Sequence, residues 1–286
     1  MTTNGSLLSG EVNLMSNAVD GVTPPFLDLR DIVIKHGDRT AVDGVDLTVA
    51  PGEFLALLGP SGCGKSTLLH VLAGLRRAHS GELRLNGSPA AADLSGKLRV
   101  GYVFQDHRLL PWRTVAQNIT IAMKSAGVPK DEWDARIDRY LGMLRVGEYR
   151  DSWPMRLSGG QRQRVSIARA LAVDPDVVLM DEPFSGLDEV TARAMRLELS
   201  RLREVSSVPT VFVTHSIKEA LFLADRVVTL SHGPARVLKE LSVSLPRPRQ
   251  YEDPEFARLE ASVVADVLKE WELTDAAPGA PERRAS

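Results

Sequence analysis

Short apolar runs that end in glycine, acidic or polar residues are the first pattern along the chain. Phe54-Leu55-Ala56-Leu57-Leu58 runs into Gly59-Pro60, the look of a strand buried on both faces in a parallel sheet. Val177-Val178-Leu179-Met180 and Thr210-Val211-Phe212-Val213 repeat the pattern, and Arg226-Val227-Val228-Thr229-Leu230 is a fourth candidate. Leu68 to Leu75 predicts a helix directly after the first run. Between Gln105 and Gly160 the period changes. Trp133, Ile137, Tyr140, Leu141 and Leu144 follow helical spacing with no obvious strand, which predicts a helical subdomain over about 106–160 inserted into an α/β core. Beyond residue 245, Pro246, Pro248 and Pro254 mark a linker. Asp253 can cap a helix whose first residue is Pro254, and Phe256, Leu259, Val263, Val267 and Trp271 then share one face. Residues 1–25, rich in Thr, Asn, Ser and Gly and closed by Pro24-Pro25, read as a disordered tail. The stretch from Ala276 reads as a frayed end, giving three segments: 1–25, 26–245 and 246–286. No internal repeat is visible.

Composition narrows this picture without redirecting it. A chain of 286 residues with 43% hydrophobic and 25% charged residues has ample material for a buried core. The net charge of −2 gives no nucleic-acid footprint. One cysteine, Cys63, excludes an intramolecular disulfide and a cysteine-rich zinc site. The first 25 residues have no Lys or Arg and no continuous apolar block, so no secretory signal is expected there. No stretch approaches the ~20 apolar residues needed to cross a bilayer, so a soluble chain is expected, tied to a membrane only through a partner.

The candidate chemistry gathers at the ends of the apolar runs. Gly59-Pro60-Ser61-Gly62-Cys63-Gly64-Lys65-Ser66, followed by Thr67, fits G-x-x-x-x-G-K-[ST] between a strand and a helix. Its glycines let backbone N–H groups turn toward phosphate oxygens, and the helix adds its positive end. Lys65 can reach the β- and γ-phosphates, and the Ser66 hydroxyl can ligate Mg²⁺. Asp181-Glu182 closes the second run: Asp181 suits a second contact to Mg²⁺, and Glu182 is placed to polarise an attacking water. His215 follows the third. Three strands thus deliver polar residues at their carboxyl ends, where open α/β sheets bind ligands. Leu157-Ser158-Gly159-Gly160-Gln161 precedes a helix, so Ser158 and the glycines offer N–H groups to a second anion. One ATP does not obviously need two such devices.

Gly59–Thr67, Gln105, Leu157–Gln161, Val177–Glu182, Ser185-Gly186-Leu187-Asp188 and His215 resemble, in order and spacing, the motifs of ATP-binding cassette ATPases over Phe26 to Leu245. The resemblance implies an α/β P-loop NTPase core with a parallel-sheet catalytic subdomain, an antiparallel β part and the inserted helical subdomain. It also implies a head-to-tail, two-fold dimer, each ATP lying between the phosphate loop of one copy and Ser158–Gln161 of the other. By the same resemblance Gln105 contacts Mg²⁺ and the attacking water, Asp188 ties the copies together, and His215 holds the γ-phosphate. His36 stands where such cassettes place an adenine-stacking aromatic, often Tyr; the alternative is a solvated loop histidine.

A finer resemblance, to the nitrate/sulfonate/taurine importer branch, rests on Gly101–Trp112, Asp181-Glu182-Pro183-Phe184 and Leu245-Pro246-Arg247-Pro248-Arg249. It implies a homodimer or paired cassette on the cytoplasmic face of the membrane, two integral-membrane permease subunits and, indirectly, an extracytoplasmic solute-binding protein. Leu110, Pro111 and Trp112 would wall the dock for a permease coupling helix; alternatively Trp112 packs inside the helical subdomain. Other cassette functions fit less well. Only about ninety residues separate the phosphate loop from Leu157, without the sustained heptads of a chromosome-maintenance coiled coil. A repair role lacks its zinc cysteines and a translation role its second cassette, while a different solute or an export role stays open.

Overall fold

A computed structural model describes residues 24–90, 96, 98–204 and 206–275; the tail over 1–23 and the end from Ala276 lie outside the described residues. The four apolar runs are strands and lie side by side. They are β3 (Phe54–Leu58), β7 (Val177–Asp181), β8 (Thr210–Thr214) and β9 (Arg226–Leu230), in the spatial order β9-β3-β8-β7, all parallel. Two strands with weaker apolar signals flank them. β6 (Val100–Val103) is parallel to β7, and β10 (Val237–Ser242) closes the other edge antiparallel to β9. A second, antiparallel sheet runs β2-β1-β4-β5, from β1 (Leu27–His36), β2 (Arg39–Val49), β4 (Ser80–Leu85) and β5 (Ser88–Pro89). The alternation of β1 is broken at Asp31, whose φ is 49°, and the register shifts there, so its apolar set is not a clean period of two.

Alternation across the six-stranded sheet creates two cores. Phe54, Ala56, Leu58, Val178, Met180 and Phe212 face the helices. Leu55, Leu57, Val177, Leu179, Val211 and Val213 face the antiparallel sheet and helix α1 (Lys65–Leu72). That helix starts and ends three residues earlier than its apolar pattern predicts. Gly64 turns the chain into it with φ of 124°, and Gly74, with φ of 67°, stops it soon after Leu72.

The segment 106–160 carries α2 (Val115–Ser125) and α3 (Trp133–Met143) and leads into α4 (Gly159–Ala172). Buried Ile119, Met123, Ile137, Leu141, Val165 and Ala168 bind the three into one cluster. Two further helices follow strands, α5 (Glu189–Glu204) after β7 and α6 (Ile217–Leu223) after β8.

Residues 246–253 are anchored through Arg247, Arg249 and Tyr251, while Pro246, Pro248, Gln250 and Glu252 are exposed. Arg249 is 5% exposed, and its guanidinium donates to the carbonyls of Leu221, Phe222, Ala224, Val243 and Leu245 at 2.6–3.3 Å. These include the orphan carbonyls at the end of α6, which a charged five-donor fork satisfies at once. Burial pushes the guanidinium down to about 10. The last helix, α7 (Pro254–Asp275), begins with Asp253 Oδ1 accepting from the Glu255 N–H at 2.8 Å. Phe256, Val263 and Val267 are buried on its inner face, and Leu259 and Trp271 pack beside them.

Candidate active site

Residues that follow the carboxyl ends of β3, β6, β7 and β9 (Ser61–Thr67, Gln105, Glu182 and Gly233) line an open cavity of about 400 Å³, while Asp181 and His215 lie outside that lining, against Ser66 and Glu182. Its floor is the loop from β3 to α1. Gly64 sits at its tightest point: a Cβ there would lie 2.5 Å from the Ala41 carbonyl oxygen, so only glycine fits both the contact and the backbone angle. Ser61 to Thr67 line the cavity, whereas Gly59 and Pro60 lie beneath it. Lys65, 4% exposed, donates through Nζ to the carbonyls of Gly59 and Pro60 at 2.8 Å each, which folds the loop around its own ammonium. Cys63 is buried below the loop, and burial pushes its thiol up.

Asp181 ends β7 and accepts from Ser66 Oγ at 2.9 Å. It is 7% exposed, and burial raises its carboxyl above the usual range, partly offset by that hydrogen bond. Glu182 follows with φ of 43°, unusual for a residue with a side chain, and its N–H is held by the Val213 carbonyl at 3.1 Å. This turn swings Glu182 into the cavity, away from its buried neighbour. Gln105 Nε2 reaches Glu182 Oε2 at 3.4 Å and Ser185 Oγ at 3.5 Å, and His215 Nδ1 stands 3.4 Å from the same Oε2. Gln105, Glu182 and His215, from three strand ends, thus share one carboxylate oxygen.

The mouth is polar. His36 is exposed and within hydrogen-bond reach of Thr67 Oγ1 at 3.3 Å, and Arg76 donates to its ring at 3.1 Å and to the Lys35 carbonyl at 2.8 Å. Arg76 Nη1 stands equally close, 3.1 Å, to both ring nitrogens of His36. Arg39, Thr40, Ala41 and Gly233 also line the cavity, and sequence reasoning did not single them out. A signal for the first three existed: Gly37-Asp38 directly after His36 marks a hairpin turn, which folds residues 39–41 back beside it.

Leu157–Gln161 is not part of this cavity's lining. Ser158 caps α4, with Gln161 N–H donating to Ser158 Oγ at 3.3 Å and Ser158 N–H to Gln161 Oε1 at 2.8 Å. That box satisfies two donors and leaves Gly159 and Gly160 as the first-turn N–H groups. Leu157 is buried beneath the turn and Ser158 is exposed. Gly160 is buried against α5, where a Cβ would lie 2.5 Å from Thr191 Cγ2. Asp188, also exposed, caps α5: Thr191 N–H donates to its Oδ1 at 3.0 Å and holds its carboxyl below the usual range.

Residues 42–185 match the family model described as ABC transporter. The spermidine/putrescine import ATP-binding protein PotA of Pseudomonas aeruginosa is 46% identical over 257 residues, 89% of this chain and 67% of that protein. The aliphatic sulfonates import ATP-binding protein SsuB 1 of Agrobacterium fabrum is 41% identical over 252 residues, 86% of this chain and 84% of its own length. The solved dimeric post-hydrolysis state of the ATP-binding cassette MJ0796, bound to ADP and Pi, superposes with a TM-score of 0.67 at 29% identity, covering 77% of this chain and all of that one.

Proposed function

We propose, since this chain belongs to the ABC transporter family of ATPases, that it is the ATP-binding and ATP-hydrolysing subunit of an importer, working as a head-to-tail dimer. The observation that carries the dimer is the division of the site. One cradle for phosphate lines the cavity through Ser61–Thr67, while the second, Ser158–Gln161, is not part of that lining. A two-fold pairing that sets each against the other's partner completes two sites at once. Asp188, exposed at the start of α5, lies beside this second cradle through the contact of Gly160 with Thr191 and would tie the copies together.

Within each site Lys65 would exchange the carbonyls of Gly59 and Pro60 for the β- and γ-phosphates. The pair Ser66–Asp181 offers hard oxygen atoms 2.9 Å apart, which suits Mg²⁺ with the amide of Gln105 close by. Among the described residues no cluster of three His, Cys, Asp or Glu could hold a metal, as suits an ion that takes its other ligands from phosphates and water. Bound there, Mg²⁺ would neutralise charge on the phosphates. Glu182 acts as general base toward a water, Gln105 orients that water, and His215 donates to the γ-phosphate.

Specific ATPase activity is therefore expected to rise steeply with protein concentration in the dilute range, while ATP binding per chain stays constant. Phosphate release assayed across a dilution series checks this, and activity independent of concentration sinks the composite site. His36 is read as the adenine-stacking residue. His36→Tyr is expected to tighten ATP binding by about 1 kcal/mol and to sharpen ATP over GTP, a fraction of the about 1–3 kcal/mol that a whole aromatic–base stack is worth. Unchanged dissociation constants for both nucleotides would retire that role.

Two membrane permease subunits are the proposed partners, placing the protein on the cytoplasmic face. Trp112 is 66% exposed beside exposed Pro111 and half-buried Leu110, which favours docking over packing inside the subdomain. Val115 N–H donates to the Ser152 carbonyl at 2.9 Å and brings exposed Trp153 and Met155 alongside. The result is an apolar surface suited to a coupling helix. Among the described residues no helix is long and apolar enough to cross a membrane.

The proposed cargo is a small anion such as nitrate, an aliphatic sulfonate or taurine, delivered by an extracytoplasmic binding protein. The match over 84% of the sulfonate-import relative supports this reading, and the 46% identity to the polyamine-import relative favours a second one, a polyamine cation. Uptake of labelled taurine against labelled spermidine by the assembled transporter separates them.

A further inference from the structure

A turn from Leu230 to Ala235, bridged to β2 of the antiparallel sheet, supplies Gly233 to the lining of the nucleotide cavity. It is built to be rigid. Ser231 Oγ donates to the Pro234 carbonyl at 2.8 Å and accepts from the Arg236 N–H at 2.9 Å. Ala235 exchanges backbone hydrogen bonds with Ala41 and Asp43 at 2.9 and 3.0 Å. Each end of the turn meets the phosphate loop. A Cβ on Gly59 would lie 3.3 Å from Leu230 Cβ and 3.5 Å from the Leu230 carbonyl oxygen. One on Gly233, which lines the cavity, would lie 3.8 Å from the backbone of Gly62 and Cys63.

Trp271, near the end of α7, holds this turn from behind. Its Nε1 donates to the Leu230 carbonyl at 3.1 Å, and its ring meets His232 edge to face at 5.8 Å between centroids. Leu230 is fully buried, so its carbonyl cannot turn to water for a partner. The other end of α7 is fixed as well: Phe256 packs on Phe222 of α6, the helix that begins two residues after His215. Lys239 Nζ ties its middle to β10 through Asp266 at 2.6 Å. A helix of 22 residues, about 33 Å long, therefore joins the His215 helix to the wall of the phosphate loop.

We propose that Trp271 is a positioning residue for the nucleotide site, holding the Leu230–Ala235 turn against the phosphate loop so that the C-terminal helix sets affinity for ATP. This rests on the reading of that cavity as the ATP site. Trp271 is not part of the cavity lining, and it acts on where Gly59 and Gly233 stand.

The test uses the full chain and three variants, with ATP dissociation constant, KM, kcat and Tm measured for each. Trp271→Ala is expected to raise the dissociation constant and KM for ATP about five-fold, as couplings carried through packed elements allow, with kcat at saturating ATP within about two-fold. Trp271→Phe keeps a ring but no donor and is expected to give a smaller rise, with Tm lowered less than in Trp271→Ala because only the hydrogen bond to the Leu230 carbonyl is lost. Val263→Ala, on the buried face of the same helix and away from the turn, is expected to lower Tm and leave KM unchanged. An unchanged KM in Trp271→Ala overturns the proposal, as does a Val263→Ala variant whose KM rises as far. Should Trp271→Ala fail to fold, Trp271→Phe decides: a raised KM supports the role and a parental one ends it. Lys65→Ala guards the premise, because undiminished ATP binding in that variant would mean the cavity is not the ATP site.

Discussion

Replacing Glu182 by Gln is expected to lower kcat for ATP hydrolysis by about 10²–10⁴-fold, the range for loss of a general base, while ATP still binds and the dimer accumulates. The substitution changes almost nothing but the base. Gln matches the shape of Glu, and the strained backbone at φ of 43° is held by the Val213 and Ser185 hydrogen bonds, which do not involve the side chain. What is lost is one carboxylate oxygen that both Gln105 and His215 address at 3.4 Å. Single-turnover phosphate release reads the chemistry, equilibrium titration reads binding, and gel filtration with ATP reads the dimer. A variant that hydrolyses within about ten-fold of the parent would remove Glu182 from the base role.

A mixture of two inactive variants is expected to regain activity that neither has alone. Lys65→Ala removes the ammonium at the heart of the phosphate loop. Ser158→Arg places a long side chain across the exposed start of α4. If each site is built from the loop of one copy and the α4 start of the other, both homodimers are dead. The mixed dimer keeps one intact site, made from the loop of the Ser158→Arg copy and the α4 start of the Lys65→Ala copy. Free exchange of equal amounts predicts about a quarter of parental activity, since half the dimers carry one of two sites. Steady-state ATPase measured against mixing ratio should show a bell-shaped curve. A flat line at zero would mean that one chain builds its whole site.

Much of the candidate site was legible in the residues themselves. Gly59–Thr67, Asp181-Glu182 and His215 stand at the ends of uninterrupted apolar runs, and parallel strands buried on both faces leave no other place for such polar groups. The fold class was legible for the same reason. The edges were not. β6 is four residues with Gly101 and Tyr102 at its centre, and β10 alternates weakly because the adjacent Lys239 and Glu240 are both exposed charged residues. β1 hides its period behind the break at Asp31. Residues 246–253 look like a linker because Pro246, Pro248 and the following Pro254 interrupt any regular period. No local rule announces that Arg249 will bury itself among five carbonyls.

The candidate chemistry is written locally: a glycine-rich loop, an acidic strand end and a capped, glycine-rich helix start can each be read from a handful of neighbouring residues, because each works through local backbone geometry. Tertiary structure alone decided how those pieces are shared out. It placed Gln105, Glu182 and His215 on one oxygen, kept Ser158–Gln161 out of the cavity lining, exposed Trp112, and brought Trp271 to the Leu230 carbonyl forty-one positions away. Such contacts depend on how sheets and helices stack across the cores. The stacking follows from burial summed over the whole chain and leaves no mark on any short stretch of it.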